Sequence, residues 1–213
     1  ASLEMGDREL TTRLLCSLGG VSSKRVRTGQ LSREDVAALA HAGRDLSGAR
    51  MLIHDRPNLT VSDIRRAARR IAARDLGLVV IDYLGLVAVP DRRGKRYEQV
   101  GDIIKGFKSL ARELKVPVLC LAQLNRQTDS GGKPQRPRLS NLRESGDIEQ
   151  TADAVWFLHR DEPASAGERV TKTLFDVAKN RTSEAAGLFL EWNAERTRYD
   201  GELSREWNPG DDF

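Results

Sequence analysis

The fold is decided by one stretch of the chain, Leu78-Val79-Val80-Ile81-Asp82-Tyr83-Leu84. Four aliphatic residues in a row lead directly into an aspartate. An apolar run of this length predicts a strand buried on both faces, as in a parallel sheet covered by helices. The aspartate then falls at the carboxyl end of the strand, where open α/β sheets bind their ligands. Asp82 is therefore a candidate magnesium-binding residue of a nucleotide site, and the alternative is an ordinary polar turn residue after a core strand.

Predicted strands alternate with predicted helices along most of the chain. Apolar residues at helical spacing predict helices at 8–18, 32–44, 61–75, 97–114 and 148–151. Apolar runs bounded by turn residues predict strands at 50–54, 116–122, 154–158, 171–178 and 187–192. Residues 25–30 are expected to form a polar connection. The alternation predicts an α/β fold with a mostly parallel sheet flanked by helices, and with paired strands near the C-terminus.

Composition excludes several classes of protein. At 213 residues, with 39% hydrophobic and 31% charged residues, the chain suits one large globular domain. No apolar run approaches the roughly 20 residues that a membrane span needs. The three histidines are scattered, and Cys16 and Cys120 lie far apart, so the sequence predicts neither a zinc cluster nor a disulfide framework. Basic patches at 65–74, 92–96 and 133–143 can bind phosphates, although a solvated face is the alternative.

Two further polar residues follow runs that read as strands. Glu4 follows Ser2-Leu3, which reads as the end of a strand, and Gln123 follows the predicted strand at 116–122. Together with Asp82, these side chains could converge at the carboxyl edge of one sheet. An acid near a bound nucleotide can polarise water, a second acid can hold magnesium, and an amide can sense the γ-phosphate. Their joint occurrence favours a nucleotide site over three unrelated capping or turn residues.

Several segments, in this order and at similar spacing, resemble the C-terminal ATPase domain of DnaB-type replicative DNA helicases. They are Ser2-Leu3-Glu4-Met5, Arg27-Thr28-Gly29-Gln30-Leu31, Ile81-Asp82-Tyr83-Leu84, Gln123-Leu124-Asn125-Arg126, Leu142-Arg143-Glu144-Ser145-Gly146-Asp147-Ile148-Glu149-Gln150 and Lys179-Asn180-Arg181. The resemblance implies a RecA-like P-loop NTPase core that is truncated at its N-terminus. It further implies a partial helicase motor domain at 1–200 and a C-terminal tail at 201–213.

The resemblance also implies roles for individual residues of the nucleotide site. Glu4 is expected to be the catalytic base that activates water, and Asp82 to bind magnesium. Gln123 resembles the residue that couples the γ-phosphate to the DNA-binding loops. Lys179 and Arg181 resemble a pair that reaches the nucleotide of the neighbouring subunit. The family usually carries Lys-Gln-Arg where this chain has Lys-Asn-Arg, which leaves the geometry of that turn open.

A second set of residues resembles the loop by which the family follows single-stranded DNA at the centre of a ring. These residues are Arg143, Glu144 and Gly146. An arginine binds phosphate through charge-assisted hydrogen bonds, and a glycine allows a close approach. Glu144 is expected either to orient Arg143 or to make contact through its backbone. The segment has no aromatic residue for base stacking, so we expect it to follow the DNA backbone whatever the sequence.

The resemblance implies partners and cofactors as well. They are ATP, Mg²⁺, single-stranded DNA, a homo-hexamer in the complete protein, and primase and a helicase loader as candidate partners. The implied location is the bacterial cytoplasm, with no membrane association. No Gly-x-x-x-x-Gly-Lys-Ser/Thr motif occurs in the sequence. We expect that phosphate loop before residue 1, after a strand that lies beside the strand at 78–84. We expect the isolated chain to bind ATP weakly or not at all and to be inactive.

Three interpretations remain open at this point. The chain is the C-terminal part of an ATP-driven helicase, or a non-catalytic module that keeps ring-assembly and DNA contacts, or another RecA-like ATPase such as a recombinase or clock-type relative. The acids, the amide and the two cations together favour the first, because a module that does not hydrolyse ATP has no chemical need for all of them. The Arg-Glu-Ser-Gly segment argues against the third.

Overall fold

The computed structural model describes residues 1–72, 75–90, 95–124, 136–142, 146–160, 170–184, 186–200 and 206–207. The described helices and strands, in chain order, are α1 (Asp7–Gly19), α2 (Ser23–Thr28), α3 (Arg33–Gly48), α4 (Val61–Ala72), β1 (Val79–Ile81), α5 (Arg96–Leu114), β2 (Val118–Cys120), α6 (Gly146–Thr151), β3 (Ala154–His159), β4 (Val170–Asn180), β5 (Ala186–Asn193), β6 (Arg198–Asp200) and β7 (Glu206–Trp207). Within these ranges, no helix has the length and apolar character needed to cross a membrane.

The chain forms two compact units. The first contains Ala1–Asp7, Ile53–Ser130 and Pro137–Val155, and the second contains Arg8–Leu52, Gly131–Arg136 and Trp156–Phe213. The candidate nucleotide residues at the strand ends belong to the first unit.

A parallel ladder forms the centre of the first unit. Strands β1 and β2 pair in parallel, with Val80 opposite Leu119. On its other edge β1 is flanked by the N-terminal residues, and Ser2 forms a parallel bridge with Asp82. Both edges of β1 therefore have partners, so the expected place of a phosphate-loop strand directly beside β1 is wrong.

Helix α5 covers one face of this ladder. It carries an apolar stripe, and its first turn is closed by a hydrogen bond from the Lys95 N–H to Glu98 Oε2 (3.1 Å). Leu110 of α5 and Ile81 of β1 are both fully buried in the same cluster. Burial of such side chains contributes about 1.5–3 kcal/mol each, so the α5 contact is a major stabilising element of the unit.

Three strand predictions in this region need correction. The strand predicted at 116–122 covers only Val118–Cys120. The strand at 78–84 is only three residues long, and it is buried on one face only, because Leu78 and Val80 are 49% and 38% exposed. Alternate residues point to opposite sides, and only the side of Val79 and Ile81 packs on the core. The predicted strand at 50–54 is absent: this described segment is coil, and Leu52 is 65% exposed.

The second unit consists of helices and a mostly antiparallel C-terminal sheet. The sheet has the order β3-β4-β5-β6, and β7 also pairs with β5. The predicted pairing near the C-terminus is confirmed, since β4 and β5 are antiparallel with Phe175 opposite Leu188. Strand β7 adds two paired residues inside the segment predicted as a tail.

Helices α2 and α3 show one confirmed and one wrong prediction. Ser32 and Asp35 form the expected capping box at the start of α3. Most of the predicted connection at 25–30 instead belongs to α2, which ends at Thr28 and is followed by its C-cap Gly29 with φ of 70°. Arg25 of α2 forms an ion pair with the buried carboxylate of Asp35 at 2.8 Å, so a tertiary contact stabilises a helix that its local sequence does not predict.

Candidate functional site

Backbone hydrogen bonds bring the segment before Glu4 beside the end of β1. The Leu3 N–H donates to the Asp82 carbonyl at 2.7 Å, and the Asp82 N–H donates to the Ala1 carbonyl at 2.9 Å. Glu4 follows this bonded segment and is exposed, whereas Asp82 is half-buried. The backbone segments that carry the two carboxylates therefore lie side by side at the same edge of the ladder.

Gln123 reaches the same edge from the other side of β1. The Leu121 N–H donates to the Ile81 carbonyl at 3.0 Å, and the Leu84 N–H donates to the Leu121 carbonyl at 2.8 Å. Gln123 lies two residues beyond Leu121 and is exposed. The structure thus brings the backbones that carry Glu4, Asp82 and Gln123 to the carboxyl edge of one parallel ladder.

The cysteine nearest this edge cannot take part in its chemistry. Cys120 pairs with Ile81 in the β1–β2 ladder. Burial raises the pKa of the Cys120 thiol to about 12. A thiol with such a pKa stays protonated at neutral pH, and it is the thiolate that acts as nucleophile or metal ligand. Cys120 is therefore not a candidate nucleophile or metal ligand at this edge.

The donor set at the edge fits a magnesium-bound nucleotide. Mg²⁺ prefers oxygen ligands and is commonly held by one or two carboxylates together with substrate phosphates. Asp82 and Glu4 offer carboxylate oxygens, and Gln123 offers an amide oxygen. Among the described residues, no group of three or more His, Cys, Asp or Glu side chains could hold a metal ion unaided. The carboxylates and the amide are thus oxygen donors of the kind that Mg²⁺ prefers.

Lys179 and Arg181 lie in the second unit, at the end of β4. Lys179 is half-buried in the strand, and Arg181 is exposed in the turn that follows. Asn180 organises this turn: its side-chain oxygen accepts from the Thr182 N–H (3.1 Å) and hydroxyl (2.9 Å), and its amide donates to Ser183 Oγ (2.6 Å). The departure from Lys-Gln-Arg therefore has a structural role in this chain that sequence reasoning missed. An asparagine two residues before a Thr-Ser pair was the available signal.

The predicted DNA-contacting residues are only partly described. Arg143 and Glu144 lie outside the described residues. Gly146 begins α6, and a Cβ added to it would meet no described atom within 4 Å. No close packing within the described part of the chain therefore requires a glycine at this position.

A contact between α5 and α6 was not predicted from the sequence. Gly101 is buried in α5, and a Cβ built on it would lie 3.0 Å from Asp147 Cγ and closer still to Oδ2. Lys105, one turn further along α5, forms an ion pair with Asp147 Oδ1 at 3.1 Å. A glycine inside the most regular helix of the chain was the signal for this close approach.

The chain is similar to known proteins over most of its length. Residues 1–201 match the family model described as DnaB-like helicase C terminal domain. The replicative DNA helicase DnaB of Geobacillus stearothermophilus is 44% identical over 163 residues, which cover 76% of this chain and 36% of that protein. The replicative DNA helicase DnaC of Bacillus subtilis (strain 168) is 38% identical over 202 residues, which cover 93% of this chain and 44% of that protein. The chain thus spans less than half the length of these curated relatives.

Solved structures show the same fold. One of them, an isolated ATPase domain, superposes with a TM-score of 0.85 at 31% identity, covering 93% of this chain and 72% of that one. A DnaB-like replicative helicase, described together with its interactions with primase, gives the same TM-score and identity and covers 93% of this chain and 48% of that one. These neighbours confirm the RecA-like α/β fold that the sequence predicts.

Proposed function

This chain belongs to the family of DnaB-like helicase C-terminal domains, and from that premise we propose that it is the C-terminal motor part of an ATP-driven replicative DNA helicase. The complete protein would form a hexameric ring, move along single-stranded DNA and unwind the duplex at the fork in the bacterial cytoplasm. The phosphate loop would come from a segment outside the 213 residues. The observation that carries the proposal is the parallel ladder that places Glu4, Asp82 and Gln123 at one edge.

The edge residues divide the work of hydrolysis by their positions. Asp82, half-buried at the end of β1, would hold Mg²⁺ and orient the nucleotide. Glu4, exposed to solvent on the neighbouring segment, would take a proton from the attacking water at its carboxylate. Gln123 would hydrogen-bond the γ-phosphate through its amide, and its chain continues directly into residues 125–135. When bound, ATP and Mg²⁺ would supply the high-energy phosphate bond and the neutralising charge.

Lys179 and Arg181 would act on a nucleotide bound to a neighbouring subunit. The exposed turn after β4 suits a cationic group that reaches outward, and Asn180 holds that turn through three hydrogen bonds. A cation supplied in trans stabilises transition-state charge and can raise the rate by about 10³–10⁵. The proposal therefore requires a homo-oligomer for full activity.

DNA binding is assigned to Arg143, Glu144 and Gly146. Arg143 would bind backbone phosphate, Gly146 would let the strand approach closely, and Glu144 would orient Arg143. No atom of the described residues lies within 4 Å of the Cβ position of Gly146, which supports an approach by a ligand. Primase and a loader are candidate partners, since one solved relative is described with its interactions with primase.

The test is hydrolysis of ATP by the full-length protein with and without single-stranded DNA. Glu4→Gln should lower kcat by about 10²–10⁴ while nucleotide binding persists, as expected for loss of a general base. Asp82→Asn should instead weaken magnesium-dependent nucleotide binding. Glu9→Gln, which changes an exposed glutamate of α1, serves as the matched control. Normal turnover by Glu4→Gln would contradict the assignment.

A second candidate is a non-catalytic module for ring assembly and DNA binding. It is favoured only by the absence of a Gly-x-x-x-x-Gly-Lys-Ser/Thr motif within these residues. In that case Glu4→Gln and Asp82→Asn would change neither hydrolysis nor DNA-dependent assembly. The same assay therefore separates the two functions.

A further inference from the structure

The contact between α5 and α6 has a geometry that ordinary helix packing does not require. Asp147, in the first turn of α6, points its carboxylate into the space left by the missing side chain of Gly101. Any side chain at position 101 would overlap Asp147, because even a Cβ would lie 3.0 Å from Asp147 Cγ and 3.3 Å from its Cβ. Lys105 then closes over the carboxylate at 3.1 Å. We call Gly101, Lys105 and Asp147 the α6 notch.

Two further contacts hold the same short helix. Ile148 packs against the buried core cluster of the first unit. Lys108, three residues beyond Lys105 on the same side of α5, forms an ion pair with Asp153, just after α6 ends. A helix of six residues is too short to be stable alone, so these contacts with α5 and the core fix its place.

We infer that the α6 notch is a positioning device for DNA binding, because it fixes Gly146 at the start of α6. The inference rests on the proposed function, which assigns Gly146 and Arg143 to the contact with DNA. Asp147 immediately follows Gly146, so displacing its carboxylate from the notch removes the contact with α5 that holds this end of the helix. None of the three notch residues needs to touch DNA for this effect.

The charge of the notch supports the same role. The first turn of α6 carries Asp147 and Glu149 and no cation of its own. An unpaired carboxylate beside Gly146 would repel backbone phosphates. Lys105 neutralises Asp147, and the Gly101 space directs the carboxylate toward α5. The notch therefore both places Gly146 and removes one negative charge from its surroundings.

The test is equilibrium binding of a fluorescent oligothymidylate to the full-length protein at several salt concentrations. Gly101→Ala should weaken binding by about tenfold, the equivalent of one charge-assisted hydrogen bond, without changing the slope of log Kd against log salt. Asp147→Ala removes the two closest atoms, Oδ2 and Cγ, and leaves only Cβ at 3.3 Å, so Gly101→Ala/Asp147→Ala should bind within about twofold of Asp147→Ala alone, as a pair coupled through one contact should. Wild-type affinity in Gly101→Ala, or no recovery in the double variant, overturns the inference.

Lys105→Ala gives an independent readout, because an exposed lysine can be removed without threatening the fold. We expect a loss of about threefold with an unchanged salt slope, the size of an exposed ion pair. A slope lowered by about one would mean that Lys105 itself binds a phosphate, and the positioning role would then be wrong. Arg112→Ala, which removes an exposed cation from the last turn of α5, is the matched control.

Arg143→Ala separates this inference from the proposed function. If Arg143→Ala leaves binding unchanged, the assignment of the DNA-contacting residues fails. If Arg143→Ala weakens binding uniformly across sequences and Gly101→Ala does not, only the positioning role of the notch fails.

Discussion

We predict that the two partners of the ion pair between Arg136 and Asp176 contribute unequally to stability, so that removing one costs more than removing the other. The guanidinium meets the carboxylate twice, with Nη2 at 3.0 Å from Oδ1 and Nε at 3.3 Å from Oδ2. The Asp176 side chain is 6% exposed and that of Arg136 is 33% exposed. Removal of Asp176 leaves a cation that water can reach, whereas removal of Arg136 leaves a buried carboxylate without its bidentate partner.

The magnitudes follow from these exposures. Asp176→Asn should destabilise the fold by about 1–2 kcal/mol, the cost of a charge-assisted hydrogen bond whose remaining partner stays solvated. Arg136→Met keeps most of the aliphatic part of the side chain but leaves the buried Asp176 carboxylate without its cation. It should lower the free energy of unfolding by about 3 kcal/mol, the lower end of the range for breaking a buried ion pair. The double variant should cost less than the sum of the two single variants, because the stranded charge is gone.

Urea unfolding followed by circular dichroism measures these differences. Arg13→Met is the control, because it breaks an exposed pair with Glu9 and should cost about 0.5 kcal/mol or less. The reasoning is refuted if Asp176→Asn destabilises the protein as much as Arg136→Met, or if the two single costs simply add. Either result would mean that burial of Asp176 does not govern the energy of the pair.

Three further predictions concern stability, pH and thiol reactivity. Gly106→Ala should lower the free energy of unfolding by about 1 kcal/mol, because overlap of the new Cβ with Val61 Cγ1 at 2.8 Å outweighs a helix-propensity gain of about 1 kcal/mol. In a chain that also carries Val61→Ala, Gly106→Ala should be stabilising. Urea unfolding midpoints of these variants measure both effects. Hydrogen bonds from Thr60 lower the pKa of Asp63 from 3.8 to about 2, so the stability that the Asp63 carboxylate contributes is present above pH 3.8 and is lost as pH falls toward 2. The urea midpoints of wild type and Asp63→Asn should therefore converge between these pH values. A constant difference between the two midpoints would contradict this. Burial raises the pKa values of both Cys16 and Cys120, so iodoacetamide at about pH 8 should label the native chain far more slowly than the urea-unfolded chain, as mass spectrometry would record.

Elements with strong local signals could be predicted from the sequence. The capping box at Ser32 and the apolar stripe of α5 depend on residues within a few positions of each other, so both were predictable. The coil at 50–54 shows the limit of this reasoning. Its residues have the composition of a strand, but a strand exists only where a neighbour pairs with it. The His54 carbonyl accepts a hydrogen bond from the Ser2 N–H, but this described segment forms no ladder.

In the candidate site too, local patterns were predictable from the sequence and long-range contacts were not. Asp82 could be chosen because an apolar run ends just before it, which is a local pattern. Glu4 and Gln123 reach the same edge because their segments pair in parallel with β1, from about 80 and 40 residues away in the chain. The register of such pairing depends on tertiary packing. Gly101 was missed because its partner, Asp147, is far along the chain, and a glycine in a helix indicates close approach without naming the neighbour.

Helix α5 links the nucleotide edge with the segment proposed to bind DNA. Its apolar stripe packs on Ile81, directly before Asp82, and on β2, whose chain continues to Gln123. Its other side carries Gly101 and the lysines that hold α6. A displacement of β1 or β2 on nucleotide binding would therefore be transmitted to α6 through one well-packed helix, since close-packed interiors transmit strain. Such coupling would depend on a rigid α5 that stays in contact with α6. Because Gly101→Ala disturbs that contact, it should also uncouple ATP hydrolysis from DNA binding. We expect ATP turnover without DNA to persist in that variant and its stimulation by single-stranded DNA to fall; equal losses of both rates would argue against a connection through α5.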